Sequence, residues 1–544
     1  MNDCAPILVV WNSQSPHRFA CYLAEILYAE GYNWFAIHDL AQAPLRPETL
    51  AEHQIVIATH VALDEDTQDR LLAYVRGGGH LIALRPPERL AAMLGLAPTH
   101  FDIVDRYLSF NPLCALNTGV TLPSLQFHGR AELYTWPRNP AQVMATFEGV
   151  KGVPTAHPAI AVGSLGRGAW AVFAYDLAES TVLFHQGRRE QASTGSAADA
   201  DGDRKYTLND HFVGYLDPEL AVLPQADLHQ DALVRVLEWM AALSAPLPRL
   251  WHFPNGAPAV AWLRGDGDSM SAVDLSTLLA TAERFGVPAT IYLMLEDHSK
   301  VSPAWAQRLR ARGHDFGQHV YAGDRPAPEE MRARLREEMT AFRERYGYAP
   351  LSYCGHGRVW VGWTEMAGYL QENGVRLNGS YGPGRSFHHG YVGGTGLPVR
   401  FMDEGGTLLD VYHQNILSSD DGWVNDKMFF PALSIDGCFD LTRSLVDDAV
   451  DRYHTVYHGN FHPVRTRPGA SSTQRWLESS LAHCRTRGCH FTNGADWVRF
   501  NDGRRQLRLI SSQFDSEDPH QTALDLTFQA ELPVHGATLA LPHV

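Results

Sequence analysis

The sequence has no long apolar run, no cysteine framework and no surplus of basic residues. No apolar stretch approaches the roughly 18–20 residues that a membrane-spanning helix requires, so we expect no membrane span. The seven cysteines are odd in number and none belongs to a CxxC pair, which favours reduced thiols over a disulfide scaffold. The 45 lysines and arginines against 61 aspartates and glutamates argue against nucleic acid as a partner, because phosphate binding needs a basic face.

The start of the sequence also lacks the features of a signal peptide. The residues before Ile7 carry no basic segment, apolar core and cleavage site, so we expect a cytoplasmic protein. At 544 residues the chain is too long for one hydrophobic core, and its 45% apolar and 19% charged residues are typical of a globular protein. We therefore expect two or three domains, and homo-oligomerisation is left open.

Strand-like and helix-like stretches alternate over the first 100 residues. Apolar runs at Ile7–Val10, Ile55–Ala58 and Leu81–Leu84 predict strands, and apolar residues at helical spacing lie between them. This alternation predicts a parallel sheet flanked by helices. We place a first domain at residues 1–245, followed by a linker at Ser244–Arg249.

The first domain shows no candidate nucleophile. A working amidotransferase-like hydrolase would carry a cysteine or serine on a glycine-flanked turn directly after a strand, and Leu81–Pro86 has neither. Gly163–Gly166 contains a serine but lacks the strand–turn–helix context. We expect this domain to be structural or to present a ligand. Its stretch Gly187–Asp203 is polar and glycine-rich and predicts a surface loop.

From Ala259 onward, strands and helices alternate again, and polar residues follow the strands. The predicted strand Ala259–Leu263 is followed by Asp266 and Asp268. The predicted strand Asp315–Gln318 is followed by His319, and Pro350–Cys354 is followed by His356. Polar residues at the carboxyl ends of successive strands are typical of the site of a (β/α) barrel. We place this barrel at residues 259–504. Residues 505–544 predict a small β-rich segment, and whether the C-terminus is complete is left open.

Asp266 and Asp268 are the first candidates for chemistry. In the transition from strand to loop, alternate residues point the same way, so both carboxylates can reach one cleft. One can bind a divalent cation while the other, unligated, accepts a proton from water. The alternative is a turn that caps the next helix, and it is weakened because Asp274 is predicted to be that cap.

Histidines supply the remaining candidates. Neutral imidazole with carboxylate suits zinc or another first-row metal, so His319 and His356 are predicted ligands, although His356 is equally compatible with a loop packed on tryptophan. His462 precedes a proline that favours an extended backbone, and a histidine is a natural proton donor to an amine leaving group. Asp410 is predicted to orient the ring of His462. The predicted substrate contacts are Arg264, Trp360, Tyr381 and His458.

In their order, these motifs resemble those of polysaccharide deacetylases, a family of metal-dependent (β/α)-barrel carbohydrate esterases. The resemblance implies that Asp266 is the base and Asp268 a metal ligand. His319 matches the first histidine of the family's His-x-x-x-His motif, but Gly323 stands at the second position. The resemblance therefore requires another residue, with His356 as the candidate, to complete the ligand set.

The segment Phe461–Pro463 is similar to the last motif of the family, which implies that His462 is the general acid. Residues 1–245 resemble the class I glutamine-amidotransferase-like, flavodoxin-type domain that precedes such barrels in some large bacterial proteins. Membership implies removal of an acyl group, N-acetyl first, from an amino sugar or polysaccharide, with zinc as the expected metal and cobalt, nickel or manganese as alternatives. Two readings stay open: a catalytically inactive carbohydrate-binding or assembly protein, and a metal-dependent amidase acting on a non-sugar amide.

Overall fold

Two large sheets, one in each half of the chain, organise the computed structural model. It describes residues 5–136, 142–192, 199–382, 384, 387, 389–424, 432–467, 473–515 and 523–541. The predicted α/β class is confirmed, since both sheets contain parallel strands joined by helices. Among the described residues, no helix has the length and apolarity needed to cross a membrane.

The first half contains a nine-stranded sheet. Its strands are β1 (Ile7–Trp11), β2 (Phe35–Asp39), β3 (Ile55–Ala58), β4 (His80–Leu84), β5 (Ala97–Phe110), β6 (Leu125–Thr135), β7 (Val143–Val150), β8 (Val153–Leu165) and β9 (Gly168–Phe173). The accompanying helices are α1 (Tyr22–Glu30), α2 (Pro47–Ala51), α3 (Glu65–Arg76), α4 (Glu88–Met93), α5 (Leu177–Gln186) and α6 (Gln225–Ala242).

This sheet is parallel on one side and antiparallel on the other. The order β2-β1-β3-β4-β9 is parallel throughout, and β8, β7, β5 and β6 extend it with antiparallel pairs. The residues of β3 and β4 are all buried, which explains why they read as continuous apolar runs in the sequence. The carboxyl ends of the parallel strands therefore meet at one edge.

The second half contains a ten-stranded sheet and a short β-rich end. The ten-stranded sheet comprises β11 (Val260–Asp266), β12 (Ala289–Leu293), β13 (Asp315–Val320), β14 (Ser352–Gly355), β15 (Leu377–Asn378), β16 (Val399–Met402), β17 (Leu408–His413), β18 (Ser418–Ser419), β19 (Val456–Asn460) and β20 (His490–Thr492). The other strands of this half are β10 (Arg249–Leu250), β21 (Arg508–Asp515), β22 (Ala523–Gln529) and β23 (Leu539–Ala540). The helices are α7 (Ala272–Arg284), α8 (Pro303–Ala311), α9 (Pro328–Tyr346), α10 (Glu365–Glu372), α11 (Asp420–Trp423), α12 (Ile435–Asp448), α13 (Thr473–Thr486) and α14 (Gly494–Gln506).

Eight of these strands form a continuous parallel row in the order β17-β15-β14-β13-β12-β11-β19-β18. One stretch of chain connects the two ends of the row. The Gln414 amide donates to the carbonyl of Asn378 in β15, and the Leu417 amide donates to the carbonyl of His458 in β19. Strand ends that are distant in sequence therefore surround one centre.

A capping box begins α7, directly after the two aspartates. The Asp274 amide donates to Ser271 Oγ, and the Asp274 carboxylate accepts from the Ser271 amide at 2.8 Å. Ser271 is therefore the cap, and the prediction of Asp274 in that role is wrong, because Asp274 lies at the third helical position. Asp266 and Asp268 are not needed to begin the helix.

The two halves share buried contacts. Phe184 and Phe212 of the first half pack in one core with Trp360, Tyr381 and other residues of the second half. The described part of the segment 505–544 is β-rich: β21 pairs with β22, and β23 pairs with β10.

Candidate active site

Polar side chains gather at the carboxyl ends of four strands of the parallel row in the second sheet. Asp266 ends β11 and Asp268 follows it, His319 lies near the end of β13, His356 follows β14, and His462 follows β19. They border a cleft of about 270 Å³. The predicted residues of the metal site and the predicted acid and base are thus brought together.

Asp268 lies between two imidazoles. Its Oδ1 is 2.9 Å from Nε2 of His319, and its Oδ2 is 3.3 Å from Nε2 of His356. One potential ligand atom from each of the three side chains lies within 4.8 Å of the other two. His319 Nδ1 donates to the carbonyl of Cys354 at 2.9 Å, so Nε2 of the neutral ring carries the lone pair that faces the cleft.

This arrangement fits a divalent metal. Asp268 Oδ1 and His319 Nε2 are both buried and lie 2.9 Å apart, close enough for an ion pair. Neither atom makes a hydrogen bond of good geometry among the described residues. Burial lowers the pKa of His319, but the carboxylates of Asp266 and Asp268 outweigh burial and hold that pKa well above its usual value. A field that favours a proton on this ring also favours a cation. Two imidazoles and a carboxylate suit zinc or another first-row metal.

Asp266 has one oxygen engaged and one without a partner. Oδ2 accepts from Arg264 Nη2 at 2.5 Å and from Asn460 Nδ2 at 3.0 Å, while Oδ1 is buried with no partner among the described residues. Burial raises the pKa of Asp266, but the Arg264 guanidinium and the nearby imidazoles outweigh it, so the pKa lies below its usual range. Asp266 is therefore an ionised carboxylate with an oxygen available to accept a proton.

Arg264 positions this carboxylate. Its side chain is buried, and its guanidinium donates to the carbonyl of Gly379, to Cys354 Sγ and to Asp266. It also lies 5.2 Å from the centre of the Tyr292 ring. The predicted role in substrate binding is corrected: Arg264 borders the cleft, but its charge is directed at Asp266.

His462 is oriented by a buried aspartate that the sequence analysis missed. Its Nδ1 donates to Asp420 Oδ1 at 2.6 Å, and its amide donates to Asp420 Oδ2 at 2.9 Å. Burial lowers the pKa of His462, but the charge of Asp420, together with Asp266 and Asp268, raises it to about 9. Nε2 of His462 lies 3.8 Å from Asp268 Oδ2, so the protonated ring presents an N–H to the cleft.

The prediction that Asp410 orients His462 is wrong. Asp410 lies in β17, where its Oδ1 accepts from Arg376 at 3.0 Å and from Arg400 at 2.5 Å, and its side chain is 50% exposed. Asp420 holds that place because it begins α11, directly after β18, beside the end of β19. The only sequence signal was the acidic pair Asp420-Asp421 before a tryptophan.

Three predicted substrate contacts are core residues instead. Their rings are buried against other rings: Trp360 on Phe401 at 5.3 Å, Tyr381 on His413 at 3.6 Å, and His458 on Trp262 at 3.9 Å. His458 Nδ1 also bonds the carbonyl of Asn415 at 3.1 Å, and burial holds its pKa well below the usual value. None of the three lines the cleft.

Other residues line the cleft that the sequence analysis did not identify. The charged and amide side chains among them are Asp203, Lys205, Arg358, Asp421 and Asn460. Two of them come from the first half of the chain, within or next to the stretch predicted as a surface loop, of which residues 193–198 lie outside the described part. The repeated aspartates in Asp199–Asp203 were the signal that could have drawn attention to this segment.

No protein-family model matches the chain, and no curated protein matches it. Among solved structures, it is similar to Agd3, a carbohydrate deacetylase, with 11% identity, a TM-score of 0.38, and coverage of 92% of this chain and 88% of that one. It is also similar to a Mycobacterium smegmatis protein assigned as a polysaccharide deacetylase, with 16% identity, a TM-score of 0.37, and coverage of 47% and 94%. The PuuE allantoinase has 14% identity, a TM-score of 0.36, and coverage of 46% and 91%. At these TM-scores the activities of those proteins do not transfer, and the function has to be read from the side chains of this chain.

Proposed function

We propose that the chain is a metal-dependent hydrolase that removes an acyl group, N-acetyl first, from an amino sugar or polysaccharide. One observation carries this proposal: ligand atoms of Asp268, His319 and His356 lie within 4.8 Å of one another in a cleft that Asp266 and His462 also border. A metal-ligand set, a free carboxylate oxygen and an imidazole N–H are the parts that amide hydrolysis needs.

Asp268, His319 and His356 would hold the metal, most suitably zinc. When bound there, it supplies Lewis acidity that polarises the substrate carbonyl and lowers the pKa of water. The buried carbonyl of Cys354 holds the His319 ring in the orientation that directs Nε2 at the cleft.

Asp266 acts as the base. Its unpartnered Oδ1 accepts a proton from the attacking water, while Arg264 and Asn460 hold Oδ2 and keep the carboxylate ionised. Because Arg264 is itself fixed by Gly379 and Cys354, the base is fixed before substrate binds. Such preorganisation avoids rearrangement during the reaction.

His462 acts as the acid. With its pKa raised to about 9, the ring is protonated near neutral pH and can donate from Nε2 to the departing amine. Asp420 fixes the ring through Nδ1 and stabilises its positive charge. Base and acid thus belong to two separately held side chains that border one cleft.

The cleft favours a polar substrate. Asp203, Lys205, Arg358, Asp421 and Asn460 offer charges of both signs and several hydrogen-bond donors and acceptors. These groups suit a polyhydroxylated ring better than a long apolar chain. The finer assignment to an amino sugar is supported by this lining together with the order of the sequence motifs.

The test is acetate release from N-acetylated amino-sugar oligomers by the purified, zinc-loaded protein. Asp266→Asn and His462→Ala should each lower the rate about 10²–10⁴-fold, the range for loss of a general base or acid. Asp410→Asn is the matched control, because its carboxylate pairs with arginines outside the cleft, and it should keep the wild-type rate. Full activity of Asp266→Asn would contradict the mechanism, and activity confined to non-sugar amides would overturn the substrate class.

A further inference from the structure

A second group of metal-ligand residue types lies at the carboxyl edge of the first sheet. His17 follows β1, His60 follows β3, and Asp176 follows β9 and begins α5. Since these strands are parallel members of one sheet, their carboxyl ends bring together residues that are far apart in the sequence. Ligand sites commonly occupy this edge of open parallel sheets. None of the three residues lines the Asp268 cleft.

The three side chains converge on one carboxylate oxygen. Asp176 Oδ2 lies 2.5 Å from His17 Nε2 and 3.9 Å from His60 Nδ1, and one potential ligand atom of each residue lies within 4.8 Å of the others. The two imidazole rings are 4.3 Å apart, with their planes at 61°. Asp176 Oδ1 accepts from the Ala178 amide at 3.0 Å, so the cap of α5 fixes the carboxylate with Oδ2 toward the rings.

One atom of this group has no hydrogen-bond partner within the part of the chain that the structure describes. His60 Nδ1 is buried and has no hydrogen-bond partner among the described residues. Leaving such a nitrogen without a partner is costly. Asp176 is itself 1% exposed, and a buried carboxylate needs compensation by positive charge. A cation between these atoms would meet both needs.

A second carboxyl group, that of Glu179, lies near the cluster. Burial and the nearby carboxylate of Asp176 raise the pKa of Glu179 to about 7, while His17 and Arg85 act in the opposite direction. Arg85 is already engaged with Glu132 at 2.7 Å.

We propose that His17, His60 and Asp176 bind a second divalent transition metal, of the zinc class, in the first half of the chain. Two imidazoles with one carboxylate suit a first-row metal, whereas calcium and magnesium prefer sets made of oxygen atoms. Three protein ligands leave a coordination position for water or another small ligand. The proposal is independent of the function of the Asp268 cleft.

The test is zinc binding to a protein in which the first cluster is disabled. Chelator-stripped Asp268→Ala His319→Ala protein, dialysed against zinc alone, should bind one zinc per chain by elemental analysis. Adding His17→Ala and His60→Ala should abolish that binding. Adding His100→Ala instead is the matched control, because His100 is an exposed histidine that pairs with Glu88 on the surface, and it should leave the stoichiometry at one.

Two results would overturn the proposal. One is that the Asp268→Ala His319→Ala protein binds no zinc, a result that needs no change at the second cluster. The other is that it binds one zinc and keeps it after His17 and His60 are replaced. Circular dichroism checks the fold of each variant. If the alanine variants do not fold, His60→Gln preserves side-chain polarity and should still weaken zinc binding at least about tenfold, the lower bound for disturbed metal sites.

Discussion

Replacing Asp420 by asparagine tests whether this carboxylate sets the protonation of His462. The variant keeps the shape of the side chain and a carbonyl oxygen that can accept from Nδ1, but it removes a negative charge beside the ring. Burial lowers the pKa of His462, and Asp420 is the largest contribution in the opposite direction. The variant should therefore lower this pKa without removing the imidazole.

The size of the effect follows from the geometry. A pKa raised from 6.5 to about 9 corresponds to about 3 kcal/mol of preference for the protonated ring. Asp420 supplies much of it, because its two oxygens contact the ring and the amide of His462 at 2.6 and 2.9 Å. A raised pKa means that the protonated form stabilises the fold below pH 6.5 and that this contribution is lost as the pH rises through about 9. In the proposed mechanism, His462 donates a proton and is therefore active below its pKa.

The assay compares the pH profiles of kcat for an N-acetylated sugar and for 4-nitrophenyl acetate. With Asp420→Asn, the alkaline limb of the amide profile should move to lower pH, and kcat at pH 8 should fall about 10²-fold or more. The activated ester should be much less affected, since its leaving group departs without a proton. An unchanged alkaline limb, or an equal effect of Asp410→Asn, would refute the assignment of Asp420.

Three further predictions concern metal binding, the aspartate turn and stability. His356→Ala should lower zinc content after dialysis, whereas a structural loop role would leave it unchanged. Gly267→Ala should lower both thermal stability and activity, because its Cβ would come within 2.8 Å of the Tyr292 carbonyl oxygen; unchanged melting would contradict this. Burial raises the pKa of Glu30 from 4.5 to about 8, so its protonated form is favoured by the fold and stability falls by up to about 5 kcal/mol as the pH rises from about 4 to about 8. In urea titrations Glu30→Gln should lack this decline, and a parallel decline in the variant would contradict it.

Strands buried on both faces were predictable because they read as apolar runs. The prediction for Ile55–Ala58 matches β3 at both ends, and β1 and β4 each differ from their predicted ranges by one residue. Strand β2 was missed because it lies at the edge of the sheet, where its residues are only partly buried. The two-residue strands β15 and β18 are too short to produce any periodicity.

The errors at the site arise because short strands and contacts between distant residues leave no pattern in the local sequence. Asp420 follows β18, so no sequence pattern placed it beside β19, and Asp410 was chosen from a more obvious strand. Trp360 and Tyr381 lie next to polar motifs and were predicted as substrate contacts, but they pack in a core with residues of the first half, such as Phe184 and Phe212. Contacts of this kind join residues that are distant in the sequence, and local patterns do not encode them.

The third ligand position shows what the sheet adds to a motif. His319 is paired in register with Cys354 of the neighbouring strand, and His356 lies two residues beyond Cys354, so the register alone brings the two imidazoles to 5.4 Å between ring centres. Gly323 has a φ of +94° and no atom within 4 Å of where its Cβ would lie, so a residue with a Cβ would be strained there and the Cβ would contact nothing. In the proposed site, the ligand set is therefore completed across two strands rather than along one loop. The absence of the His-x-x-x-His spacing is therefore compatible with the proposed metal site.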